Sequence, residues 1–347
     1  MSEGFALQCP VPAGDHGLIE LAHGAGGLLT QRLIDEIFRP AFGTATDFMH
    51  DGATFEVTAE RLAFTTDSYV VQPLFFPGGD IGSLAVNGTV NDLAMCGAEP
   101  QYLSAGFILE EGLPLHDLRR VVRSMQLAAA AAGVRLVTGD TKVVERGKGD
   151  GLFINTAGIG RVLPGVEPAP QHVRAGDAVL LSGDIGRHGV AVMSVREGLR
   201  FESALESDSA PLAATVQRLA AAGIPLHCLR DPTRGGLATA LAEIAAAGRV
   251  DIRLIEQRIA VSDPVRGACE LLGLDPLYVA NEGRLVAFVP AEAADRALAV
   301  LRTGPGGECA AVIGRVERGV GRAVLESDLG ASRVLDLLSG DQLPRIC

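Results

Sequence analysis

Apolar residues recur along this chain at two spacings, and each spacing predicts one kind of element. Leu29, Leu33, Ile34 and Ile37 lie on one helical face, which predicts an amphipathic helix that ends before Pro40. Further helices are predicted at 81–95, 115–132, 187–197, 210–222, 235–247, 264–272 and 291–302. Short apolar runs predict strands at 61–66, 102–109, 134–137, 153–159, 177–182, 251–256, 285–289 and 310–316.

The alternation of strands and helices predicts an α/β (α+β) fold in which each half of the chain forms a domain. A chain of 347 residues is long enough to give both domains a buried core. The composition shifts near Pro168-Ala169-Pro170, and we place the domain boundary there. The predicted organisation is an N-terminal arm at 1–16, a first domain at 17–167, a second domain at 168–335 and a C-terminal tail at 336–347.

The charge balance of the chain limits the partners that it can bind. The net charge is −12, which argues against nucleic acid and membrane surfaces because both attract basic patches. It does not argue against a phosphate ligand that arrives with Mg²⁺, since the metal then brings the positive charge.

The cysteine pattern and the hydropathy of the chain indicate the cellular compartment in which we expect it. There is no C-x-x-C pair, no Cys/His cluster at zinc spacing, no basic segment followed by an apolar run and no apolar stretch long enough to cross a bilayer. We therefore expect a reduced, cytoplasmic protein. The six scattered cysteines are Cys9, Cys96, Cys228, Cys269, Cys309 and Cys347.

The chain ends in Leu343-Pro344-Arg345-Ile346-Cys347, after a Ser339-Gly340-Asp341 break. Pro344 favours extended backbone, so the end is predicted to be an arm rather than a packed helix. A terminal cysteine on such an arm can carry a group on its sulfur into a pocket; the alternative is a frayed terminus with an incidental thiol. Residues 336–347 can span about 40 Å at about 3.3 Å each. We expect a mobile tail that moves between an inward and an outward position.

Four aspartates lie beside small residues where strands or helices are predicted to end: Asp51, Asp67, Asp92 and Asp231. Carboxylates at such positions can reach a ligand, and Mg²⁺ prefers a few carboxylates together with phosphate oxygens. Aspartate is also common at caps and turns that bind nothing. Asp140, next to Gly139, is open to the same two interpretations.

Two glycine clusters precede predicted helices, His23-Gly24-Ala25-Gly26-Gly27 and Arg234-Gly235-Gly236. The free N–H groups of a helix N-terminus favour anions, so Gly24, Gly26 and Gly27 are candidate phosphate-binding residues. Neither the G-x-x-x-x-G-K-[ST] motif nor a complete G-x-G-x-x-G motif after a strand is present. Each cluster is therefore a weak signal when it is taken alone.

Lys142 and Glu282 are candidate catalytic residues at predicted loop edges. A lysine and a glutamate at such positions can act as acid, base or charge stabiliser. Either can equally be a solvated surface charge, and position alone favours that alternative.

Several motifs together resemble the superfamily of aminoimidazole-ribonucleotide synthetase and selenophosphate synthetase. They are NGTVNDLAMCGA at 87–98, GDTKVV at 139–144 and RDPTRGGL at 230–237. Within that superfamily, the PRIC ending at 344–347, GVA at 189–191 before REGL at 196–199, and ANEG at 280–283 resemble the hydrogenase maturation factors of the HypE family, the carbamoyl dehydratases. The resemblance runs from about Gly17 to Cys347.

The resemblance implies a fold and a set of roles. The first domain is expected to bind ATP with Mg²⁺ and to form a β-barrel across a homodimer, beside a C-terminal α/β domain with a flexible tail. The implied residues are Cys347, Lys142 and Glu282 for catalysis, Gly24, Gly26, Gly27, Asp67, Asp92, Asp140 and Asp231 for the nucleotide, and Asp51, Asp67, Asp92 and Asp231 for the metal.

The implied reaction converts a carbamoyl group on Cys347 to a thiocyanate. A HypF-type carbamoyltransferase would load the sulfur, ATP would phosphorylate the amide oxygen, and loss of phosphate would leave S–C≡N. The cyanide would then pass to iron on a HypC–HypD-type complex and supply the ligand of a NiFe hydrogenase. Two alternatives remain open from the residues: a small-molecule synthetase or kinase of the same superfamily, for selenophosphate or thiamine phosphate, and a nucleotide-binding scaffold that docks partners by its tail.

Overall fold

The computed structural model forms two β-sheets that are covered by helices, together with one short hairpin. It describes residues 17–20, 33–42, 61–198, 205–327, 330–336 and 345–347. The described strands are β1 (Leu62–Tyr69), β2 (Phe75–Phe76), β3 (Gly79–Asp80), β4 (Ala98–Glu110), β5 (Arg135–Val144), β6 (Leu152–Val162), β7 (Asp177–Leu181), β8 (Cys228–Arg230), β9 (Val250–Ile255), β10 (Val286–Pro290), β11 (Ala311–Arg318), β12 (Ala323–Glu326) and β13 (Ser332–Leu335).

The helices lie mostly between these strands. The described α-helices are α1 (Arg39–Phe42), α2 (Ile81–Met95), α3 (Leu115–Ala132), α4 (Arg187–Arg196), α5 (Ala213–Ala221), α6 (Gly236–Gly248), α7 (Asp263–Leu272) and α8 (Ala294–Leu301). A π-helical turn at Ile34–Phe38 precedes α1, and single 3₁₀ turns lie at Pro170–His172, Glu256–Arg258, Pro276–Tyr278, Ala291–Ala293 and Gly307–Cys309.

The first sheet has four strands in the order β1-β6-β4-β5, of which only β4 and β5 run parallel. Helix α2 packs against β1, β6 and β4, and α3 packs on α2. The two helices approach closely because Gly82 lies so near the Val121 carbonyl that a Cβ atom there would collide with it. Among the described residues β1 and β5 are the edges of this sheet, and Phe64 on β1 is 69% exposed.

The second sheet has seven strands in the order β13-β12-β9-β11-β7-β10-β8. Its inner strand β7 is buried along its whole length, between antiparallel neighbours β10 and β11. The one parallel pair in this described sheet is β12 with β9. An α/β (α+β) protein with two sheet-and-helix units is therefore confirmed, with strands that are largely antiparallel.

Several predicted bounds were wrong, and the two errors in strand length lie where pairing with a distant strand overrides the local pattern. Strand β5 was expected to end at Val137, but it continues to Val144 because β4 pairs with it, with Gly106 opposite Asp140 and Ile108 opposite Lys142. Strand β1 likewise continues beyond Thr66, through Asp67 to Tyr69. The helix that was expected to end before Pro40 continues to Phe42.

Some strands were not predicted, and some predictions concern residues that the structure does not describe. The strands that sequence periodicity did not indicate are β2, β3, β8, β12 and β13, all of two to four residues. The predictions for the arm at 1–16, for Gly24, Gly26, Gly27 and Asp51, and for most of the tail lie outside the described residues. None of the described helices combines the length and the apolar character that a membrane span requires.

Candidate active site

The last three residues of the chain lie beside residues 70–72 and hydrogen-bond to them through the backbone. The Val70 amide donates to a Cys347 main-chain oxygen at 3.2 Å, and the Gln72 amide donates to the Arg345 carbonyl at 3.2 Å. These two bonds join alternate residues of the two segments. The terminal cysteine is therefore held in place by backbone pairing.

Side chains of helix α4 contact the same segment from the other half of the protein. His188 Nε2 lies 2.9 Å from the Ile346 carbonyl oxygen, and Arg196 Nη2 donates to the Arg345 carbonyl at 2.7 Å. The Ile346 side chain is 3% exposed and belongs to the main hydrophobic core. We name the residues Val70, Gln72, His188 and Arg196 the tail seat.

The tail seat places the Cys347 thiol among charged groups. The Arg234 guanidinium donates to Cys347 Sγ at 3.6 Å. Burial, together with the nearby Glu282 carboxyl, raises the pKa of the Cys347 thiol to about 11, although Arg234 acts in the opposite direction. The thiol is therefore protonated at neutral pH unless positive charge is added near it.

Glu282 is a buried carboxyl group that has the properties of a general base. It is 3% exposed, and no described atom forms a hydrogen bond with its Oε1. Burial raises its pKa well above the usual range, and the neighbouring carboxylates of Asp231 and Asp208 raise the pKa further. An unpaired buried oxygen is costly, so this side chain is suited to a ligand that arrives with a proton or a positive charge.

The loop that carries Glu282 is fixed by contacts from both halves. The Asp208 carboxylate accepts from the amides of Glu282 at 3.4 Å and Gly283 at 3.1 Å, and Asn91 Nδ2 donates to the Glu282 carbonyl at 3.2 Å. A side chain at position 283 would collide with the Asp208 carbonyl, which explains the glycine. The orientation of Glu282 is therefore set before any ligand binds.

Three of the predicted aspartates come together near this loop. Burial, reinforced by Asp92, raises the pKa of Asp231 to about 7. Burial also raises the pKa of Asp92, whose Oδ2 accepts from Thr65 Oγ1 at 2.9 Å, and Asp67 adds to that rise. Such mutual effects show that Asp67, Asp92 and Asp231 face a shared region, although they are distant in sequence.

The donor chemistry of this region fits Mg²⁺ that arrives with phosphate. In the part of the chain that the structure describes, no three His, Cys, Asp or Glu side chains form a ready-made metal cluster. Mg²⁺ does not need one, since it binds one or two carboxylates and completes its shell with phosphate oxygens and water. Such a cation would reduce the repulsion between the carboxylates of Asp92 and Asp231, whose pKa values are raised.

Lys142 and Asp140 lie elsewhere in this chain. Both are exposed on β5, at the opposite edge of the first sheet from Asp67 on β1, and they pair with each other at 3.1 Å. Their positions are inside a strand, so the expectation that Lys142 lies at a loop edge was wrong. Their predicted roles toward ATP and Cys347 stay predictions.

Sequence reasoning missed three residues that shape the site. Arg234 lies within the RDPTRGGL motif, so its proximity to Asp231 was an available signal. His188 lies in α4, within the helix predicted at 187–197, but neither it nor Asp208 carried a sequence signal for the site. Only the tertiary contacts identify these residues.

Comparison with known proteins agrees with this geometry. The family described as AIR synthase related protein, N-terminal domain, matches residues 49–162, and the corresponding C-terminal domain matches residues 174–325. Carbamoyl dehydratase HypE from Azotobacter vinelandii is 55% identical over 334 residues, which cover 96% of this chain and 98% of the relative.

Solved structures show the same similarity in three dimensions. A crystal structure of hydrogenase maturation protein HypE in complex with ATP matches with a TM-score of 0.91 at 50% identity, covering 94% of this chain and 99% of the other. A chain from a HypE–HypF complex matches with a TM-score of 0.78 at 45% identity, covering 88% and 99%.

Proposed function

The chain belongs to the HypE family of carbamoyl dehydratases, and we propose on that premise that it dehydrates a carbamoyl group carried on its own Cys347. The observation that carries this proposal is the position of the terminal thiol, which lies beside Arg234 and near the buried, unpaired carboxyl of Glu282. A frayed terminus would not bury Ile346 or pair its backbone with residues 70–72.

The proposed reaction begins with an S-carbamoyl group, S–C(=O)–NH₂, on Cys347. Its oxygen is a poor leaving group, so the oxygen attacks the γ-phosphorus of ATP, ADP departs, and one N–H proton is lost. The C–O bond of the phosphorylated imidate then breaks, phosphate leaves with the oxygen, and the second N–H proton is removed. The product is S–C≡N, whose nitrogen and carbon both come from the carbamoyl group.

Glu282 is suited to remove an N–H proton in this sequence. It lies near Cys347, and its raised pKa brings a carboxylate closer to the basicity that such a transfer requires. General-base catalysis of this kind contributes about 10²- to 10⁴-fold. Arg234 would stabilise the negative charge of the phosphoryl group that is transferred to the carbamoyl oxygen, because its guanidinium already contacts the sulfur that carries the carbamoyl group.

ATP and Mg²⁺ would lie by the carboxylates of Asp67 and Asp92 in the first domain and of Asp231 in the second. A HypE relative has been solved with ATP, which supports the nucleotide for this chain. Asp67, Asp92 and Asp231 would hold Mg²⁺, with Asp51, Asp140, Gly24, Gly26 and Gly27 as further predicted ligands of the nucleotide or metal. A bound Mg²⁺ would supply positive charge to the transferring phosphoryl group.

The partners follow from the same reaction. A relative has been solved in a HypE–HypF complex, which supports a HypF-type carbamoyltransferase as the source of the carbamoyl group. A HypC–HypD-type iron complex would accept the cyanide. A second copy of the chain would pair with the edge strands β1 and β5 and cover the exposed Phe64.

The test is intact mass after incubation with a HypF-type carbamoyltransferase, carbamoyl phosphate and Mg-ATP, with Cys347→Ala as control. We expect a carbamoyl adduct on the C-terminal peptide that loses the mass of one water when this protein receives ATP. A bare Cys347, together with ATP consumption on a small acceptor, would instead establish a small-molecule synthetase. ATP binding without any tail modification would indicate a scaffold.

A further inference from the structure

The tail seat contains one fully buried side chain that the reaction itself does not use, His188. We propose that His188 is a positioning residue that holds the Cys347 thiol inward by donating a hydrogen bond to the Ile346 carbonyl. The inference rests on the proposed function, because it assigns His188 to dehydration and not to carbamoyl loading.

The bond from His188 reaches the one carbonyl of the described tail residues 345–347 that does not pair with residues 70–72. The carbonyls of Arg345 and Cys347 accept from the amides of Gln72 and Val70, whereas the carbonyl of Ile346 between them faces helix α4. It meets His188 Nε2 at 2.9 Å. Without His188 the buried Ile346 carbonyl would lose its hydrogen-bond partner, which would destabilise the inward position of the tail.

His188 is held ready for this contact by its surroundings. Its Nδ1 lies 2.8 Å from Ser207 Oγ, and the Phe76 ring meets the imidazole edge-on at a centroid distance of 5.3 Å. Burial lowers the pKa of His188, so the ring is neutral at pH 7. A neutral ring that donates from Nε2 must accept at Nδ1, and the Ser207 hydroxyl can supply that proton.

The same short segment connects His188 to Glu282. Ser207 contacts the imidazole, and the next residue, Asp208, accepts from the amides of Glu282 and Gly283. Ser207 and Asp208 therefore contact both the imidazole that holds the tail and the loop that carries Glu282. His188 couples the position of the thiol to the loop that carries the proposed base.

Loss of the hydrogen bond from His188 should slow dehydration without slowing carbamoyl loading. Carbamoyl loading requires the thiol to reach another protein, so a weaker tail seat leaves loading unchanged or makes it faster. Dehydration requires the loaded sulfur beside Glu282, so a weaker tail seat slows it. A purely structural defect would slow both.

The first measurement is the alkylation rate of Cys347 by iodoacetamide in the full-length, ligand-free protein. An Asp-specific protease releases the C-terminal peptide from Asp341, and the exposed Cys309 serves as an internal reference. His188→Asn shortens the side chain, and we expect Cys347 alkylation to rise about 5- to 30-fold, the range that losing one such bond allows. His188→Gln can place an amide donor near the Nε2 position, and it should remain within about 3-fold of the wild type.

The second measurement follows loading and dehydration separately by intact mass. We expect His188→Asn to load at the wild-type rate or faster and to dehydrate at least about 5-fold more slowly, with His188→Gln close to the wild type. If His188→Asn does not fold, Ser207→Ala should give the same directions with smaller changes.

The inference is overturned if alkylation is equal in all variants, if His188→Gln behaves like His188→Asn, or if both half reactions slow together. Wild-type protein that is never loaded would refute the proposed function, while the alkylation rates would still decide whether His188 holds the tail.

Discussion

Asn91 donates through its Nδ2 atom to the backbone oxygen of Glu282 at 3.2 Å. The same side chain donates to the Ala210 carbonyl at 3.1 Å and accepts from the Leu212 amide at 2.8 Å. One buried amide on α2 therefore satisfies three backbone groups of the second half of the chain. Because Asp92 is its neighbour in sequence, Asn91 also fixes the distance between the proposed metal ligands and the proposed base.

Replacing Asn91 by alanine should destabilise the protein strongly. The change leaves buried backbone groups without partners, which costs about 2–4 kcal/mol in the free energy of unfolding. Urea unfolding monitored by circular dichroism would measure it. Asn155→Ala is the matched control: this asparagine also donates to backbone, at the Asp67 carbonyl, but it is exposed, so water can replace its bonds and we expect less than about 1 kcal/mol. Equal losses in both variants would contradict the role of Asn91.

The raised pKa of Asp231 makes stability depend on pH. The folded pKa of about 7 exceeds the unfolded value of about 3.9, so the folded state binds more protons between these values. The contribution of Asp231 to stability is therefore complete below about pH 4 and is lost as the pH rises through about 7. Asp231→Asn should gain about 1–3 kcal/mol relative to the wild type between pH 5 and pH 8, measured by urea unfolding at both values. A difference that does not change with pH would contradict this.

The reactivity of Cys347 should respond in opposite directions to its two charged neighbours. Glu282 raises the pKa of the thiol, and Arg234 lowers it. In the alkylation rate measured at a fixed pH of about 8, below the pKa of the thiol, Glu282→Gln should make Cys347 react faster and Arg234→Gln should make it react more slowly. Arg234→Lys keeps the charge and should leave the rate nearer that of the wild type. Changes in one direction for both neutral variants would show that these charges do not act on the sulfur.

Lys142 should act on the thiol of a second chain. It is exposed on the β5 edge, across the sheet from Asp67, so its predicted catalytic role requires a partner that pairs with that edge. Lys142→Ala and Cys347→Ala should each lack dehydration, and mixed dimers of the two should recover part of it. Dehydration by Lys142→Ala at the wild-type rate would remove Lys142 from the mechanism. Its stability should change by less than about 0.5 kcal/mol, as expected for an exposed ion pair.

The local sequence pattern predicted the bounds of an element correctly where the residues of that element encode both its apolar face and its ends. Helices α2 and α3 were predicted with their observed bounds, 81–95 and 115–132, because apolar spacing and the break at Gly133 are encoded within the helix itself. The motifs also identified the family, since the residues that carry the resemblance are contiguous in the chain.

The tertiary structure alone decided how the site is assembled. Strand β5 continues through Asp140 and Lys142 because β4 pairs with it, and no local pattern contains that information. Cys347 meets Arg234, and Ile346 meets His188, across separations that only folding closes. The raised pKa values of Asp231 and Glu282 have the same origin, because burial and the approach of distant carboxylates are properties of the packed chain. The sequence by itself therefore determined which residues are available for this chemistry, whereas long-range packing decided which of them share one environment.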